Sequence, residues 1–381
     1  MSSTRAVAWI GCLGLAAAMG IGRFAFTPML PPMLAEGRLV LDQGNALALA
    51  NYLGYFAGAV AAALHPADAG RRARLGLALI ALTTLGMGWA EGMPAWWALR
   101  FASGVASAMV LVGVSAWALP RLTAGGAAGR AGIVYAGVGL GITLAGLLVL
   151  LGKAAGLGSG TTWLALGVLA SLATLAAWPT LAPAAPASPT FGAAAASPAP
   201  PRWRATAPLL LAYGAMGYGY IIPATYLPTL AQRQLDPAWF GWIWPAFGLA
   251  AAASTWVVAG WLRHRAPRSQ WRWAQTAMAL GVAAPLLHDG GLALASSAVL
   301  VGGSFMVVTM AGMQEARRIG GGAALMAAMT AAFALGQIAG PWSVSRFTGA
   351  GFAVGPSIAA VLWLVLGVGL LWLAPRPADR D

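Results

Sequence analysis

The sequence predicts an all-α membrane protein of twelve transmembrane helices in two pseudo-symmetric six-helix bundles. Three observations carry that prediction: an extreme apolar composition, about twelve separate apolar runs of bilayer length, and a proline-rich break that divides them six and six. Of 381 residues, 60% are hydrophobic and only 8% charged, where soluble proteins carry roughly 25% charged residues. Too few polar side chains exist to cover a water-facing surface. That excludes a soluble enzyme, a disordered chain and a nucleic-acid-binding module. The formal charge of +13 does not restore the last of these, because the basic residues occupy short breaks between apolar runs and form no stripe. The single cysteine, Cys12, permits no internal disulfide.

A helix needs about 20 apolar residues to cross the hydrocarbon core. The first six runs extend from Ala8 to Leu34, Ala46 to Leu64, Leu75 to Ala90, Ala95 to Leu119, Ala131 to Leu151 and Thr162 to Leu181. The second six extend from Ala207 to Ala231, Phe240 to Leu262, Trp273 to Leu287, Leu292 to Met313, Ala323 to Val344 and Phe352 to Leu373. The third and ninth are short, and the fourth has several possible ends near Pro120. Between the sixth and seventh lie Pro183, Pro186, Pro189, Pro198, Pro200, Pro201 and Pro208 among Ala and Ser. No continuous helix tolerates that density of proline, so the stretch reads as a semi-extended linker. The expected domains are residues 1–182, a cytoplasmic linker at 183–206, and residues 207–381.

The halves share an internal repeat. Ala18-Met19-Gly20-Ile21-Gly22-Arg23 aligns with Ala215-Met216-Gly217-Tyr218-Gly219-Tyr220 at an offset of 197, and the same offset places Leu30-Pro31 on Leu227-Pro228. The first run is therefore expected to be a retained helix and not a cleaved leader. Leu140-Gly141 with Ala145-Gly146 in run five resembles Leu335-Gly336 with Ala339-Gly340 in run eleven. Gly54/Gly58, Gly137/Gly141 and Gly336/Gly340 are small-xxx-small pairs expected at close helix contacts.

Charge asymmetry sets the expected orientation. With the N-terminus cytoplasmic, sixteen of the 22 basic residues fall in inner loops and four (Arg38, Lys153, Arg233, Arg346) in outer ones. This satisfies the positive-inside rule with both termini inside. The remaining two, Arg23 and Arg100, fall within runs. An ionisable residue there is expensive and is a functional hypothesis by default.

All nine acids and all three histidines lie in loops or at run ends, so the embedded charge is positive and uncompensated. Such a site favours an anion, since guanidinium holds a carboxylate or phosphate through two parallel hydrogen bonds. Arg23 lies beyond the middle of run one and precedes Pro28, Pro31 and Pro32, which loosen the helix and free carbonyls. It either contacts a ligand or is held by those carbonyls. Tyr213, Tyr218, Tyr220 and Tyr226 gather in run seven, with Tyr220 at the position equivalent to Arg23. Tyr52, Tyr55, Tyr135 and Gln337 add donors. The expected pocket sets Tyr220 opposite Arg23, with Tyr135 and Gln337 at its sides and Tyr55 and Tyr218 nearby. Arg100 stands near the outer end of run four, beside Trp96 and Trp97, where an interfacial anchoring role is open to it.

Two six-helix halves related as parallel repeats are the layout of major facilitator transporters, which the sequence resembles. The narrower resemblance is to the YbfB/YjiJ family. It is carried by Gly20-Ile21-Gly22-Arg23-Phe24-Ala25-Phe26-Thr27-Pro28-Met29-Leu30-Pro31, by Ala136-Gly137-Val138-Gly139-Leu140-Gly141-Ile142, and by Leu335-Gly336-Gln337-Ile338-Ala339-Gly340-Pro341.

The resemblance implies secondary transport across a bacterial inner membrane by alternating access. It gives Arg100-Phe101-Ala102-Ser103-Gly104 a second reading, as the fourth-helix motif linked to proton coupling. Asp68-Ala69-Gly70-Arg71-Arg72 resembles a degenerate form of the superfamily's cytoplasmic gate signature, which implies a latch between Asp68 and Arg71 or Arg72; a solvated basic loop is the alternative. The Gly-Pro motif of drug–proton antiporters is missing from run five, since Gly141-Ile142-Thr143 contains no proline.

The expected activity is transport of a small organic anion or metabolite, the alternative being efflux of amphipathic drugs or metabolites. An enzyme is not expected, nor any cofactor, metal or nucleic-acid partner; the lipid bilayer and a small molecule are the expected partners of a monomer. Coupled protons would ride on Glu91, Asp289, Glu36 or Glu315, or on the substrate itself.

Overall fold

A computed structural model describes residues 3–65, 67–181, 203–234, 241–288, 290–347 and 354–374 of the chain. The segment 183–202 of the expected linker lies outside the described residues, as do Asp289 and the side chain of Tyr226. Every described element is a helix. The first span consists of α1 (Thr4–Leu15), a π-helical segment (Ala16–Arg23) and α2 (Phe26–Ala35). The other five spans of the first half are α3 (Leu41–Leu64), α4 (Ala69–Trp89), α5 (Met93–Ala124), α6 (Ala131–Ala154) and α7 (Ser159–Ala177). The second half contains α8 (Trp203–Gln234), α9 (Ile243–Trp261), α10 (Pro267–Leu287), α11 (Gly291–Arg318), α12 (Gly322–Phe347) and α13 (Val354–Leu373).

Nine of these spans are long and apolar enough to cross a membrane; α4, α8 and α10 are the exceptions. The short third and ninth runs extend at their basic ends into the full helices α4 and α10, taking in Arg71, Arg72 and Arg74, and Arg268 and Arg272. A helix propagates by its own backbone hydrogen bonds, so it outruns the apolar segment that lipid requires. For the same reason α5 passes through Pro120 and ends at Ala124.

Packing follows the repeat. Within the first half α3 packs on α5, α5 on α4, and α4 on α7; within the second, α9 packs on α11, α11 on α10, and α10 on α13. The halves meet along two seams, α3 against α12 and α6 against α9. Advancing both partners of one seam by six spans yields the other, as parallel repeats require.

Small residues bring the backbones together. A Cβ on Gly54 would sit 2.0 Å from the Phe101 carbonyl oxygen, one on Gly141 2.3 Å from that of Ala16, and one on Gly336 2.2 Å from that of Gly214. The last two glycines join repeat-related pairs, the first span with α6 and α8 with α12. Where apolar burial between helices gains nothing over lipid, such close approach is what dispersion attraction needs. The outer surface carries exposed Leu82, Trp89, Leu175, Trp256, Leu280, Leu362 and Trp372, a lipid-facing distribution.

Candidate functional site

The site begins with a defect in the first span. In the π-helical segment the Phe24 N–H bonds to Met19 at 3.0 Å, five residues back. Beyond it the Thr27 N–H turns to Phe24 and Pro28 has no N–H, so the Arg23 carbonyl loses its usual donor. Pro28 falls in the first turn of α2, and the π-helical register precedes it, over Ala16–Arg23.

Helix α5 donates to the carbonyls of this segment. Ser107 Oγ donates to Ala18 at 2.9 Å and Ser103 Oγ to Gly22 at 2.7 Å. Arg100 donates from Nη1 to Gly22 at 3.0 Å and from Nη2 to Arg23 at 3.1 Å, while Asn51 Nδ2 bonds the Arg100 carbonyl at 3.0 Å. Arg100 is 2% exposed and its guanidinium lies 4.8 Å from the Phe26 ring centre. The interfacial reading of Arg100 is thereby corrected: it is a buried clamp on the first span. Sequence position placed it near a helix end, but α2 covers it.

The defect turns Arg23 toward the seam between the halves, where it is 3% exposed. Its Nη2 donates to Gln337 Oε1 on α12. Tyr55 on α3 covers one face of the guanidinium at 3.6 Å, with Phe24, Tyr52 and Phe333 at 5.6, 5.8 and 6.0 Å. These ring faces stabilise a buried cation. They do not use its remaining donors: Arg23 Nε and Nη1 have no hydrogen-bond partner, and neither has Gln337 Nε2. Among the described residues the ion pairs of carboxylates are those of Glu315 with Arg268 and Arg318, so no acid neutralises Arg23. Idle charged donors in a buried seam can accept a ligand that brings oxygen atoms.

Tyr220 faces this group across the seam. It is 1% exposed, stacks on Phe305 at 4.9 Å and meets the edge of Phe24 at 6.3 Å. The structure thus brings Arg23, Gln337, Tyr55 and Tyr220 together. The Tyr135 hydroxyl pairs with that of Ser115 at 2.8 Å, and that of Tyr218 with Ser343 at 2.8 Å, so neither hydroxyl is idle as the Arg23 nitrogens are.

The expected gate meets different geometry, and two of the acids expected at run ends lie there. Asp68 makes no ion pair with Arg71 or Arg72; it caps α4, accepting the Arg71 N–H at 2.8 Å, while Arg72 Nη2 donates to the His65 carbonyl at 2.6 Å. An acid at a helix start has four unpaired N–H groups within reach, and these win. Glu91 is exposed in the turn before α5. Glu36 accepts the Ser159 N–H at 2.6 Å and so caps α7.

Glu315, expected at a run end as a candidate proton carrier, sits in an ion-pair cluster. It is fully buried, held by Arg268 Nη2 at 2.6 Å and Arg318 Nε at 2.8 Å. Arg268, expected in an inner loop, also donates to the Ala374 carbonyl at 2.9 Å. The signal available was Glu315-x-x-Arg318, an i,i+3 pair on one helix face.

The sequence matches the family described as the uncharacterised MFS-type transporter YbfB over residues 15–372. The chain belongs to this family. No curated protein matches it. Among solved structures, the transporter is similar to the human organic anion transporter MFSD10 (TETRAN), with a TM-score of 0.71 and 15% identity over 98% of this chain and 100% of that one. At that identity the likeness establishes the shared fold alone. The transporter is a multi-pass membrane protein of the major facilitator fold, and neither its family nor its fold is that of an enzyme.

Proposed function

We propose that the transporter moves a small organic anion across the bacterial inner membrane by alternating access, as a monomer with both termini cytoplasmic, and that Arg23 binds the anion. The observation that carries the reading is the buried Arg23 guanidinium, which has two nitrogens without partners and no carboxylate in contact. Its position on the seam supports the same reading, because the Arg23–Gln337 bond joins one half to the other. An anion that takes over these donors is held by both halves, and its release frees them to rock apart. The printed name of the MFSD10 structure, an organic anion transporter, agrees in ligand class. Organic-cation efflux fits less well, since no acid meets the site among the described residues.

Thermal melting of the purified protein against libraries of organic anions and cations tests the substrate class. A hundredfold excess over Kd adds about 2.7 kcal/mol to stability, so carboxylates are expected to raise the melting temperature measurably. Stabilisation by lipophilic cations alone would overturn the reading. Orientation has its own test. Arg265 is exposed in the loop before α10, and the native Cys12 is buried. A cysteine replacing Arg265 should react with a membrane-impermeant maleimide only after the cells are opened; labelling of intact cells would place that loop outside.

A further inference from the structure

At the end of the second half where α9 and α11 stop and α10 starts, six arginines gather: Arg263, Arg265, Arg268, Arg272, Arg317 and Arg318. Successive spans alternate in direction, so α13 ends on this side as well. The acid that the described residues offer here is Glu315, which is buried against Arg268 and Arg318. Among the described residues the other four arginines have no carboxylate partner.

One of these four, Arg272, is held in place without using its donors. The seam it sits on is fixed by two hydrogen bonds: Gln275 Nε2 donates to the Leu364 carbonyl at 3.1 Å and Arg268 Nη1 to that of Ala374 at 2.9 Å. One turn after Arg268, the Arg272 guanidinium lies 3.7 Å from the ring centre of Trp372 on α13. Stacking occupies the face of a guanidinium and leaves its N–H groups free in the plane. Its side chain makes no hydrogen bond among the described residues. Trp372 is exposed, so the arginine is presented at the surface of the bundle. The first half repeats the arrangement only in part: Arg74 on α4 lies 4.9 Å from the ring of Trp178, just past α7, but spends Nε on the Trp178 carbonyl at 2.8 Å.

The adjoining surface is apolar. Trp273, Leu280 and Leu287 are exposed at intervals of seven along α10, which places them on one helix face. On α13, Gly369 stands one turn before Trp372, and a Cβ there would meet nothing within 4 Å. Charge at the end of the spans and apolar surface along them match the two parts of a phospholipid.

We infer that the end of the α10–α13 seam binds the headgroup of an anionic phospholipid, with Arg272 donating to its phosphate and the acyl chains lying over the apolar face of α10. Basic sites between spans at the membrane surface recognise anionic headgroups. A zwitterionic lipid brings its own cation, which the unpaired arginines repel. The planar fork of Arg272 suits phosphate oxygens, and Trp372 fixes its direction. This site is separate from Arg23 and does not depend on the substrate class.

Native mass spectrometry of the full-length protein in detergent tests it with dioleoylphosphatidylglycerol and dioleoylphosphatidylcholine, which share their acyl chains. The first phosphatidylglycerol is expected to bind at least about fivefold more tightly than the first phosphatidylcholine, the worth of one basic residue at an anionic surface. Arg272→Gln should lose about that factor. Arg265→Gln, the same loss of charge on an exposed loop, should change the affinity by less than about twofold, because nothing orients that side chain. Trp372→Leu keeps Arg272 but removes the ring that aims it, and should also weaken binding of the anionic lipid.

Equal affinity for the two lipids overturns the anionic assignment. Equal losses from Arg272→Gln and Arg265→Gln overturn the site, since diffuse attraction does not distinguish one arginine from another. Displacement of the lipid by millimolar inorganic phosphate makes the occupant a soluble anion and overturns the lipid. Unchanged affinity in Trp372→Leu overturns the placement of Arg272 by the ring.

Discussion

Replacing Arg23 by alanine is expected to reduce transport to background while leaving the protein folded. The variant removes a buried cation whose Nε and Nη1 are unpartnered, and with it the cost of burying that charge. It also leaves Gln337 Oε1 without its donor, a loss of about 1–3 kcal/mol. These effects oppose one another, so the melting temperature should move little. Arg23→Lys keeps the charge but lacks the planar fork that binds two oxygens. It should bind the anion at least about tenfold more weakly, as expected when a charge-assisted hydrogen bond is lost.

Reconstituted uptake, with melting measured on the same preparations, separates the outcomes. Normal transport by Arg23→Ala, or loss of transport only through loss of folding, would make Arg23 structural. A structural residue of that kind already exists beside it in Arg100, whose Nη1 and Nη2 donate to the Gly22 and Arg23 carbonyls while only its Nε has no partner.

The second large effect is expected at Glu315. This carboxylate is fully buried and accepts from Arg268 and Arg318, whose side chains are 10% and 38% exposed. Arg268 in turn bonds the Ala374 carbonyl, so one acid ties α10, α11 and the end of α13 together. Glu315→Ala removes this carboxylate from the buried Arg268, and breaking such a pair costs about 3–5 kcal/mol. The Arg318 contact adds less, because water screens its more exposed end.

The partners should be strongly coupled. Arg268→Ala combined with Glu315→Ala is expected to destabilise far less than the sum of the single changes, because the double variant removes both members of the buried pair and leaves only the more exposed Arg318 without Glu315. Melting measurements on the two single variants and the double variant close the cycle; additive losses would show that the pair contributes nothing jointly.

The one-dimensional parts of this structure were legible because their signals are local. A bilayer demands runs of about 20 apolar residues, and such runs read directly from composition. Arg23 stood out because lipid makes a charge within a run conspicuous. The repeat then pointed to Tyr220, and Gln337 followed from its place among the glycines of run eleven. The same signals do not reveal that the hydroxyls of Tyr135 and Tyr218 are paired with Ser115 and Ser343. A helix face is a rotation, and the repeat resolves that rotation only where small residues fix it. Gly20 and Gly217 do so for the first span and α8: a Cβ would meet the Gly141 backbone at 2.3 Å and the Phe333 carbonyl at 2.2 Å.

The sequence by itself determined that the chain is a twelve-span membrane bundle in two related halves with an uncompensated arginine in its first span, since apolar length, repetition and charge require no knowledge of neighbours. Only the tertiary structure decided what each polar group does. Arg100 and Arg23 are both buried guanidiniums of one half with different partners: the first donates from both Nη atoms to carbonyls of the first span, the second gives one Nη to Gln337 and has two nitrogens without partners. Asp68 became a helix cap and Glu315 a buried hub, though sequence placed both merely at run ends. The cluster of Tyr220, Phe247 and Phe305 joins residues of three helices that share no motif. In each case the deciding quantity is which donor lies within about 3 Å of which acceptor, and that depends on how closely glycines let neighbouring helices approach.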